Sequence, residues 1–140
     1  MKLEISLDDS IAESEVLALY RANHWSSADK PAELMAALRS SHSLVTARLE
    51  TRTGKRKLVG IGNAISDGHL VVYYPHMLVH PEYHGKGIGK QMMRAMQGVY
   101  GNFHQQMLTA DGNAIKFYEA LGFESAGNTQ SMWVYAGNEH

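Results

Sequence analysis

The sequence predicts one α/β domain, an α+β mixed sheet with helices on its faces. The chain has 140 residues, which is long enough for one hydrophobic core and too short for two. Apolar residues follow strand-like runs and helical spacing in the order β-α-α-β-β-β-α-β-α-β. No repeat, low-complexity stretch or linker interrupts this order. We therefore expect residues 1–140 to form a single domain with a single functional site.

The N-terminal part predicts a strand followed by two helices. Residues 3–7 suit a short strand, and Ser10 with Glu13 has the spacing of a capping box, which predicts where the first helix starts. The apolar face of this helix is expected to hold Ala12, Val16, Leu19 and Tyr20. Pro31 follows a polar turn and predicts the start of a second, short helix.

Three strands are predicted in the middle of the chain. Residues 44–49 and 58–65 suit two strands joined by a hairpin turn at Gly54. Residues 70–79 predict a third strand in which Pro75 cannot donate a hydrogen bond to a neighbour. We therefore expect a bulge or an unpaired edge at Pro75.

The C-terminal part predicts two helices, each followed by a strand. Apolar residues at helical spacing give the first helix its inner face, namely Ile88, Met92, Ala95, Met96 and Val99. A strand over 106–110 follows, and then a helix over 113–121 that Gly122 ends, with Ala114, Phe117, Tyr118 and Leu121 inward. Residues 131–135 predict a closing strand, for a sheet of six to seven strands in all.

Composition excludes several functional classes. Thirteen Lys and Arg nearly balance fourteen Asp and Glu, for a net charge of -1, so no basic field favours nucleic acid or a membrane surface. The chain has no cysteine, which excludes disulfides, thiolate metal sites and a cysteine nucleophile. No signal-peptide pattern opens the sequence, so a cytoplasmic location is expected. No metal-ligand spacing appears among His42, His69, His80, His104 and His140, and no metal is expected.

The segment HGKGIGK, residues 84–90, is the most informative stretch because it lies between a predicted strand and a predicted helix. Three glycines allow a ligand to approach the backbone, and the helix N-terminus favours an anion. Lys86 and Lys90 add positive charge. The spacing fits neither a Walker loop nor a dinucleotide fingerprint. A turn that only caps the helix is the structural alternative, but we predict a phosphate or pyrophosphate site.

Two motifs resemble the GNAT superfamily of acetyl-coenzyme A dependent N-acetyltransferases. The first is MLVHPEYHGKGIGKQMM, in which Gly87 and Gly89 match the family's glycines and His84 stands where Gln or Arg is usual. The second is NAIKFYEALGF, which follows after a strand. The resemblance covers residues 58–123 well and the N-terminal helices only by their order. It implies a mostly antiparallel sheet that is splayed at the cofactor site.

The resemblance also implies roles for individual residues. The backbone of Met77, Leu78 and Val79 is expected to pair with the pantetheine arm of acetyl-coenzyme A, and the amides of 85–90 to hold its pyrophosphate. The expected cofactor set is completed by His84, Gly85, Lys86, Gly87, Ile88, Gly89, Lys90, Asn113 and Phe117. Tyr118 matches the family's general acid toward the departing thiol, although a core aromatic on a helix is the simpler alternative. Asp111 stands where many relatives carry an Asn that contacts the cofactor. Two alternatives stay open, namely that Asn113 makes this contact instead or that the contact is missing.

The remaining assignments concern the acceptor. His76 is our candidate general base because an imidazole ordinarily titrates near neutral pH and because this residue follows Pro75, although a histidine bonded at a bulge is the plainer alternative. His24, Trp25 and Tyr74 are candidate acceptor contacts. We expect acetyl transfer to a primary amine of a small molecule. The alternatives are a protein or peptide acceptor and a non-catalytic coenzyme A binding module, and the resemblance adds a possible homodimer.

Overall fold

The computed structural model describes residues 2–137, so His140 lies outside the described residues. Its strands are β1 (Lys2–Leu7), β2 (Ser43–Glu50), β3 (Arg56–Ser66), β4 (Val71–Tyr73), β5 (Met77–Val79) and β6 (Gln105–Met107). Its α-helices are α1 (Glu13–Ala22), α2 (Pro31–Arg39), α3 (Ile88–Tyr100) and α4 (Ala114–Glu119). Short 3-10 turns lie at Ser26–Asp29 and Pro81–Tyr83.

The six strands form one mostly antiparallel sheet, as the sequence predicts. The order across the sheet is β1-β2-β3-β4-β6, and β5 also pairs with β3, beyond the end of β4. Every pair is antiparallel except β4 with β6, which is parallel. The predicted strand over 70–79 is thus two short strands on one neighbour. The break between them is the main feature of the site.

Two apolar clusters cover the two faces of the sheet. The first lies under α1 and α2 and contains Val16, Leu19, Tyr20, Leu34 and Leu38 with Leu78 from β5. The second lies under α3 and contains Val45, Val59, Met92, Met93, Met96 and Tyr100. On α3, Ile88, Met92 and Met96 are buried as predicted, but Val99 is 42% exposed and Tyr100 takes the inner position. The helix face is therefore rotated slightly from the predicted one.

Helix α1 begins two residues after the predicted position. Its N-cap is Ala12, whose backbone N–H donates to the Glu15 carboxylate at 2.9 Å, so the capping box predicted at Ser10 and Glu13 is wrong. Glu15 is needed elsewhere as well, because it also binds the buried Arg48. The predicted inner position of Ala12 is also wrong, because Ala12 is the N-cap and is exposed to solvent.

Arg48 of β2 ties the start of α1 to the sheet. Its guanidinium donates to Asp9 at 2.8 Å, to both carboxylate oxygens of Glu15 and to the carbonyl of Ser10. Arg48 is 9% exposed, so the paired carboxylates offset the cost of burying its charge. The Arg48 guanidinium lowers the pKa of both Asp9 and Glu15 below their ordinary values through these hydrogen bonds.

The predicted closing strand at Ser131–Tyr135 is wrong. These residues pair with no described strand, and their apolar side chains are turned to solvent, with Met132 92% and Trp133 68% exposed. Instead, the rings of Trp133 and Tyr135 stack on one another at 4.7 Å between centroids. Tyr135 is further placed by a 3.3 Å hydrogen bond between its hydroxyl and Ser26 Oγ. The contact with Ser26 places Tyr135 beside the turn that follows α1.

Candidate active site

The break between β4 and β5 is stabilised by Asn63 of β3. Pro75 has no N–H to donate, and the chain leaves β3 at this point as the sequence predicts. The N–H of Asn63 donates to the His76 carbonyl at 3.0 Å, and the Asn63 side chain accepts the His76 N–H at 3.1 Å. Asn63 is 4% exposed. A buried amide therefore replaces the ladder that the proline interrupts.

The break contains one extra residue, because Ile65 pairs with Tyr73 before it and Gly62 pairs with Met77 after it. This bulge reverses the face of the sheet to which alternate side chains point. Tyr74 belongs to the cluster under α3, and after the bulge Met77 and Val79 pack against that same cluster. His76 and Leu78 consequently face α1. Tyr74 is 4% exposed and donates its hydroxyl to Gln106 Oε1 at 2.7 Å, so this geometry does not favour its predicted role as an acceptor contact.

At this bulge, the chain that continues from β4 into β5 separates from β6. Their last contact is the 3.0 Å hydrogen bond from Tyr74 N–H to the Met107 carbonyl, and β5 continues on β3 alone among the described strands. The resulting gap matches the predicted splayed site. Hydrogen bonds join β5 to β3 at both ends, from Asn63 N–H to the His76 carbonyl and from His80 N–H to the Val59 carbonyl. Leu78 lies midway between these two bonds, opposite Ile61. Alternation along the ladder therefore directs the backbone of Leu78 to β3 and that of Met77 and Val79 to the gap.

His84 forms a hydrogen bond with one of these gap-facing backbone groups, the carbonyl of Val79. Its Nε2–H donates to the Val79 carbonyl at 2.7 Å, although the side chain is otherwise exposed. The residue that replaces the family's usual Gln or Arg thus contacts the strand edge at which the pantetheine arm is expected. Of the three residues predicted to pair with that arm through their backbone, the geometry favours Met77 and Val79 and not Leu78.

The glycine turn and the first turn of α3 form an anion site beside the gap. Gly85 and Gly87 have φ of +77° and +78°, a left-handed conformation that side chains disfavour. The N–H groups of Ile88, Gly89 and Lys90 come too early in α3 to have an acceptor within the helix. The first turn carries no acidic residue, and Lys86 and Lys90 are exposed beside it. This combination suits a phosphate or pyrophosphate group.

Helix α4 closes the other side of the gap. A Cβ on Gly89 would lie 3.3 Å from the Phe117 ring and 3.7 Å from Val79, so glycine allows α3, α4 and β5 to meet. Tyr118 packs on Phe117 and Phe123, and burial raises the pKa of its phenol above the ordinary value. It is therefore protonated at neutral pH. Asn113 is exposed at the N-cap of α4 and makes no side-chain cap there.

An aromatic cluster of Tyr20, Trp25 and His76 lies on the α1 side of the gap. The Trp25 ring meets that of His76 at 5.2 Å and that of Tyr20 at 5.8 Å, both edge to face. Tyr20 Oη lies 2.7 Å from His76 Nδ1. His24, in contrast, is exposed at φ +59° and ends α1, because the next N–H, that of Trp25, returns to the Tyr20 carbonyl.

The structure thus brings Trp25 and His76 together and separates them from Tyr74, and it gives His24 a helix-ending role. Two residues that line the site, Tyr20 and Asn63, are not among the site residues predicted from the sequence. The spacing of Tyr20 predicts only a place in the helix core. Asn63 gives a usable signal, because it is a polar residue within the apolar run of β3.

The family follows from residues 40–125, which match the model of the acetyltransferase (GNAT) domain. The chain belongs to the GNAT family. The match covers more than half of the chain and includes both motifs, the gap and the glycine turn. Members of this family are acyltransferases that take an acetyl group from acetyl-coenzyme A.

The curated relatives are N-acetyltransferases of greater length. The chain is 34% identical over 85 residues to an uncharacterized N-acetyltransferase, ycf52, of Gracilaria tenuistipitata var. liui, covering 59% of this chain and 47% of that protein. It is 31% identical over 104 residues to histone acetyltransferase TAP1 of Glycine max, covering 66% and 44%. The chain therefore spans about half or less of the length of these relatives.

Solved GNAT structures share the fold over almost the whole chain. A GNAT family acetyltransferase of Streptococcus pneumoniae TIGR4 superposes with a TM-score of 0.80 at 25% identity, covering 96% of this chain and 99% of that one. AAC(6')-Iy, solved with the bisubstrate analogue CoA-S-monomethyl-acetylneamine, gives a TM-score of 0.69 at 18% identity, covering 97% and 100%. This second likeness concerns the fold.

Two negative findings apply to residues 2–137. None of their helices combines the length and the apolar character that a membrane crossing needs. Nor do the described residues group three or more His, Asp or Glu side chains in a way that could hold a metal ion.

Proposed function

We propose that the protein transfers the acetyl group of acetyl-coenzyme A to a primary amine of a small molecule. The observation that carries the proposal is the open edge of β5 at Met77 and Val79, next to the glycine turn and the N-terminus of α3. An unpaired strand edge suits the amide groups of a pantetheine arm, and the helix N-terminus suits a pyrophosphate.

The described residues fit this co-substrate at both ends. Amides from Gly85 to Lys90, with the charges of Lys86 and Lys90, would hold the pyrophosphate. The backbone groups of Met77 and the N–H of Val79, whose carbonyl already accepts from His84, would pair with the pantetheine arm, and Phe117 of α4 would line the opposite wall. Bound there, acetyl-coenzyme A supplies an activated thioester. Its carbonyl would be polarised by an N–H at the open edge, that of Met77 or Val79.

Tyr118 is proposed as the general acid. The lone pair of the neutral amine forms the new C–N bond, the C–S bond breaks with its electron pair on sulfur, and the phenol protonates that sulfur. The nitrogen then loses one proton, which leaves a neutral amide, and that proton restores the phenol through water. A thiol has an ordinary pKa of about 8.5, so departure as the unprotonated thiolate at pH 7 costs about 2 kcal/mol, which a general acid offsets. Burial raises the pKa of Tyr118, which keeps the proton in place until the thiolate leaves.

The amine must lose a proton before or during this step. An alkylamine has a pKa near 10.4, so the neutral form costs about 4 to 5 kcal/mol at pH 7. Two routes exist, one to the imidazole of His76 and one to a chain of water molecules. His76, which lies at the bulge on the α1 side of the gap, is the side-chain candidate for the first route.

Trp25 supports an amine acceptor on the α1 side. Its half-buried indole forms one wall of the aromatic cluster, and an aromatic face attracts a cation before the amine is deprotonated. A protein acceptor is the second candidate, favoured by the likeness to histone acetyltransferase TAP1. A panel that contains amino sugars, polyamines and a histone-tail peptide separates the two.

The test is steady-state release of free coenzyme A thiol with this panel. Turnover with a small amine and none with the peptide supports the proposal. Turnover with the peptide alone replaces the small-molecule acceptor by a protein. Binding of acetyl-coenzyme A without turnover on any acceptor would instead indicate a non-catalytic coenzyme A binding module.

A homodimer in the cytoplasm completes the proposal. The exposed side chains of Met132, Trp133 and Val134 form an apolar surface that a second copy could cover. Sedimentation at increasing protein concentration tests this association. The double variant Met132→Ser with Val134→Ser should shift it toward the monomer, and an unchanged sedimentation profile would exclude this surface. The absence of cysteine agrees with a reducing compartment.

A further inference from the structure

His76 is held rigidly at the edge of the gap. Its backbone N–H and carbonyl are both bound to Asn63, and the Asn63 side chain is itself anchored by a 3.0 Å hydrogen bond to Ser41 Oγ. Its ring meets Trp25 edge to face. Tyr20 Oη is 2.7 Å from the ring nitrogen Nδ1. Rotation of the ring by half a turn about the Cβ–Cγ bond, which would put the carbon Cδ2 in the place of Nδ1, would break this last contact.

The burial of Tyr20 determines the direction of that hydrogen bond. Its side chain is fully buried, and burial raises the pKa of its phenol, so the hydroxyl keeps one proton to donate. Within residues 2–137 the acceptor that lies nearest to this proton is His76 Nδ1. If Nδ1 were protonated and donated to Tyr20, the phenol proton would be buried without an acceptor, which costs the full desolvation of that group.

We infer that Tyr20 is a positioning residue that holds neutral His76 with its proton on Nε2. In this tautomer Nδ1 accepts from Tyr20, and Nε2 carries the proton and is a hydrogen-bond donor. One titratable group that contacts the ring is the phenol of Tyr20 on α1, and the contacts that Trp25 and Asn63 make with His76 carry no charge. The consequence for catalysis rests on the proposed function. His76 in this state does not take the amine proton, which leaves through water.

A second tyrosine–histidine pair in the same chain has the opposite arrangement. Tyr100 Oη lies 2.6 Å from His42 Nδ1, but the Tyr100 hydroxyl donates its proton to Ser43 Oγ at 2.7 Å. His42 must therefore donate from Nδ1 to the Tyr100 oxygen. The two histidines are expected as opposite tautomers, which gives the experiment an internal control.

The experiment is a long-range 1H–15N spectrum of the histidine rings in the uniformly labelled full chain at about pH 8, without any ligand. Spectra of His76→Gln and His42→Gln assign the two rings. We expect His76 protonated on Nε2 and His42 protonated on Nδ1. Finding His76 protonated on Nδ1 would overturn the inference. This readout needs no acetyl transfer, so it stands or fails independently of the proposed function.

Two variants then test the role of Tyr20. Tyr20→Phe should leave His76 as a mixture of tautomers, whereas Tyr100→Phe should change His42 and leave His76 on Nε2. An unchanged His76 in Tyr20→Phe would show that Tyr20 does not position it.

Kinetics of His76→Gln on the best amine give the catalytic consequence. The Gln side chain keeps an N–H donor, so we expect a higher KM for the amine while the acid limb of the kcat profile keeps its position. Loss of that limb, together with a fall in kcat of about 100-fold or more, would assign the base to His76 and overturn the water route.

Discussion

At the scale of single residues, the phenol of Tyr118 decides whether the site is catalytic. Its ring is fixed between Phe117 and Phe123, so replacement by phenylalanine preserves the packing and removes only the hydroxyl. We predict that Tyr118→Phe lowers kcat for acetyl transfer by about 10²- to 10⁴-fold, the usual contribution of a general acid. The affinity for acetyl-coenzyme A should not change.

The pH dependence of this role has a definite sign. Burial raises the pKa of Tyr118, and the general acid must be protonated, so its activity should persist to pH values above the ordinary pKa of 10.0. Thiol release across a pH series measures this. The control is Tyr73→Phe, which removes an exposed hydroxyl from β4. Equal rates for Tyr118→Phe and the control would mean that Tyr118 is only a packing residue.

Residue assignments show where inference from the sequence stops. The sequence predicts Tyr74 and His76 together at the acceptor side, because they are two apart in one predicted strand. The bulge at Pro75 adds one residue and separates them onto opposite faces. The missing N–H of Pro75 predicts an irregularity there. It does not predict the number of extra residues, which depends on Asn63 filling the break from another strand.

At the scale of elements, the glycine turn combines a backbone conformation with a binding function, and the two can be separated. Gly87 has φ +78°, and a Cβ added to it would have no atom within 4 Å, so an alanine there meets only conformational strain. Gly54, in the β2–β3 turn, has φ +81° and equally open surroundings. The two positions therefore form a matched pair.

We predict that Gly87→Ala and Gly54→Ala each lower the free energy of unfolding by about 1 kcal/mol, the cost of a left-handed conformation for a residue with a Cβ. Only Gly87→Ala should also weaken the binding of coenzyme A, because it disturbs the amides that precede α3. Urea unfolding and titration calorimetry measure the two effects. Equal coenzyme A affinity in both variants would argue against the turn as the pyrophosphate site.

The contact between α1 and β2 depends on charge and should be visible in the pH dependence of stability. The pKa values of Asp9 and Glu15 are lowered from 3.8 and 4.5 mainly by hydrogen bonds from Arg48. Their contribution to stability is therefore present above these ordinary values. It is lost as the pH falls through the lower pKa values of the folded state.

We predict that Arg48→Met lowers the free energy of unfolding at pH 7 by about 3 kcal/mol, because two partly buried carboxylates lose their partner. The loss of stability as the pH falls from 4.5, the ordinary pKa of Glu15, to about 2 should then be smaller in the variant than in the wild type. Urea unfolding across this range measures both. A parallel pH dependence in the two proteins would show that Arg48 does not lower these pKa values.

At the scale of the whole molecule, the order of elements is predictable because each helix and strand has its own periodicity. Strands β1 to β3 and helices α2 and α3 lie close to their predicted ranges. The segment at 131–135 is predicted as a strand because its residues alternate as they do in strands. The prediction fails because a strand also has to pair with the edge of a sheet, and this segment pairs with no described strand. In this chain its aromatic side chains stack on each other instead. Pairing is a long-range property that local sequence does not contain.

Ligand binding provides the prediction that involves the entire fold. Acetyl-coenzyme A would contact β5, the glycine turn and α4 together, and α4 is distant in sequence from the other two elements. Because the unfolded chain has no such site, ligand at about a hundredfold over its Kd should add about 2.7 kcal/mol to the free energy of unfolding. For a domain of this size, we expect the Tm to rise by roughly 5 to 10 °C.

The comparison of ligands locates the source of that shift. Pantetheine carries the arm without the pyrophosphate, so at equal concentration it should raise the Tm much less than coenzyme A does. Gly87→Ala should reduce the shift with coenzyme A and leave that with pantetheine unchanged, since the two parts of the ligand bind to different elements. If coenzyme A at millimolar concentration gave no shift in the wild type, the open edge of β5 and the glycine turn would not form one binding site. The proposed acetyl transfer would then lose its structural basis.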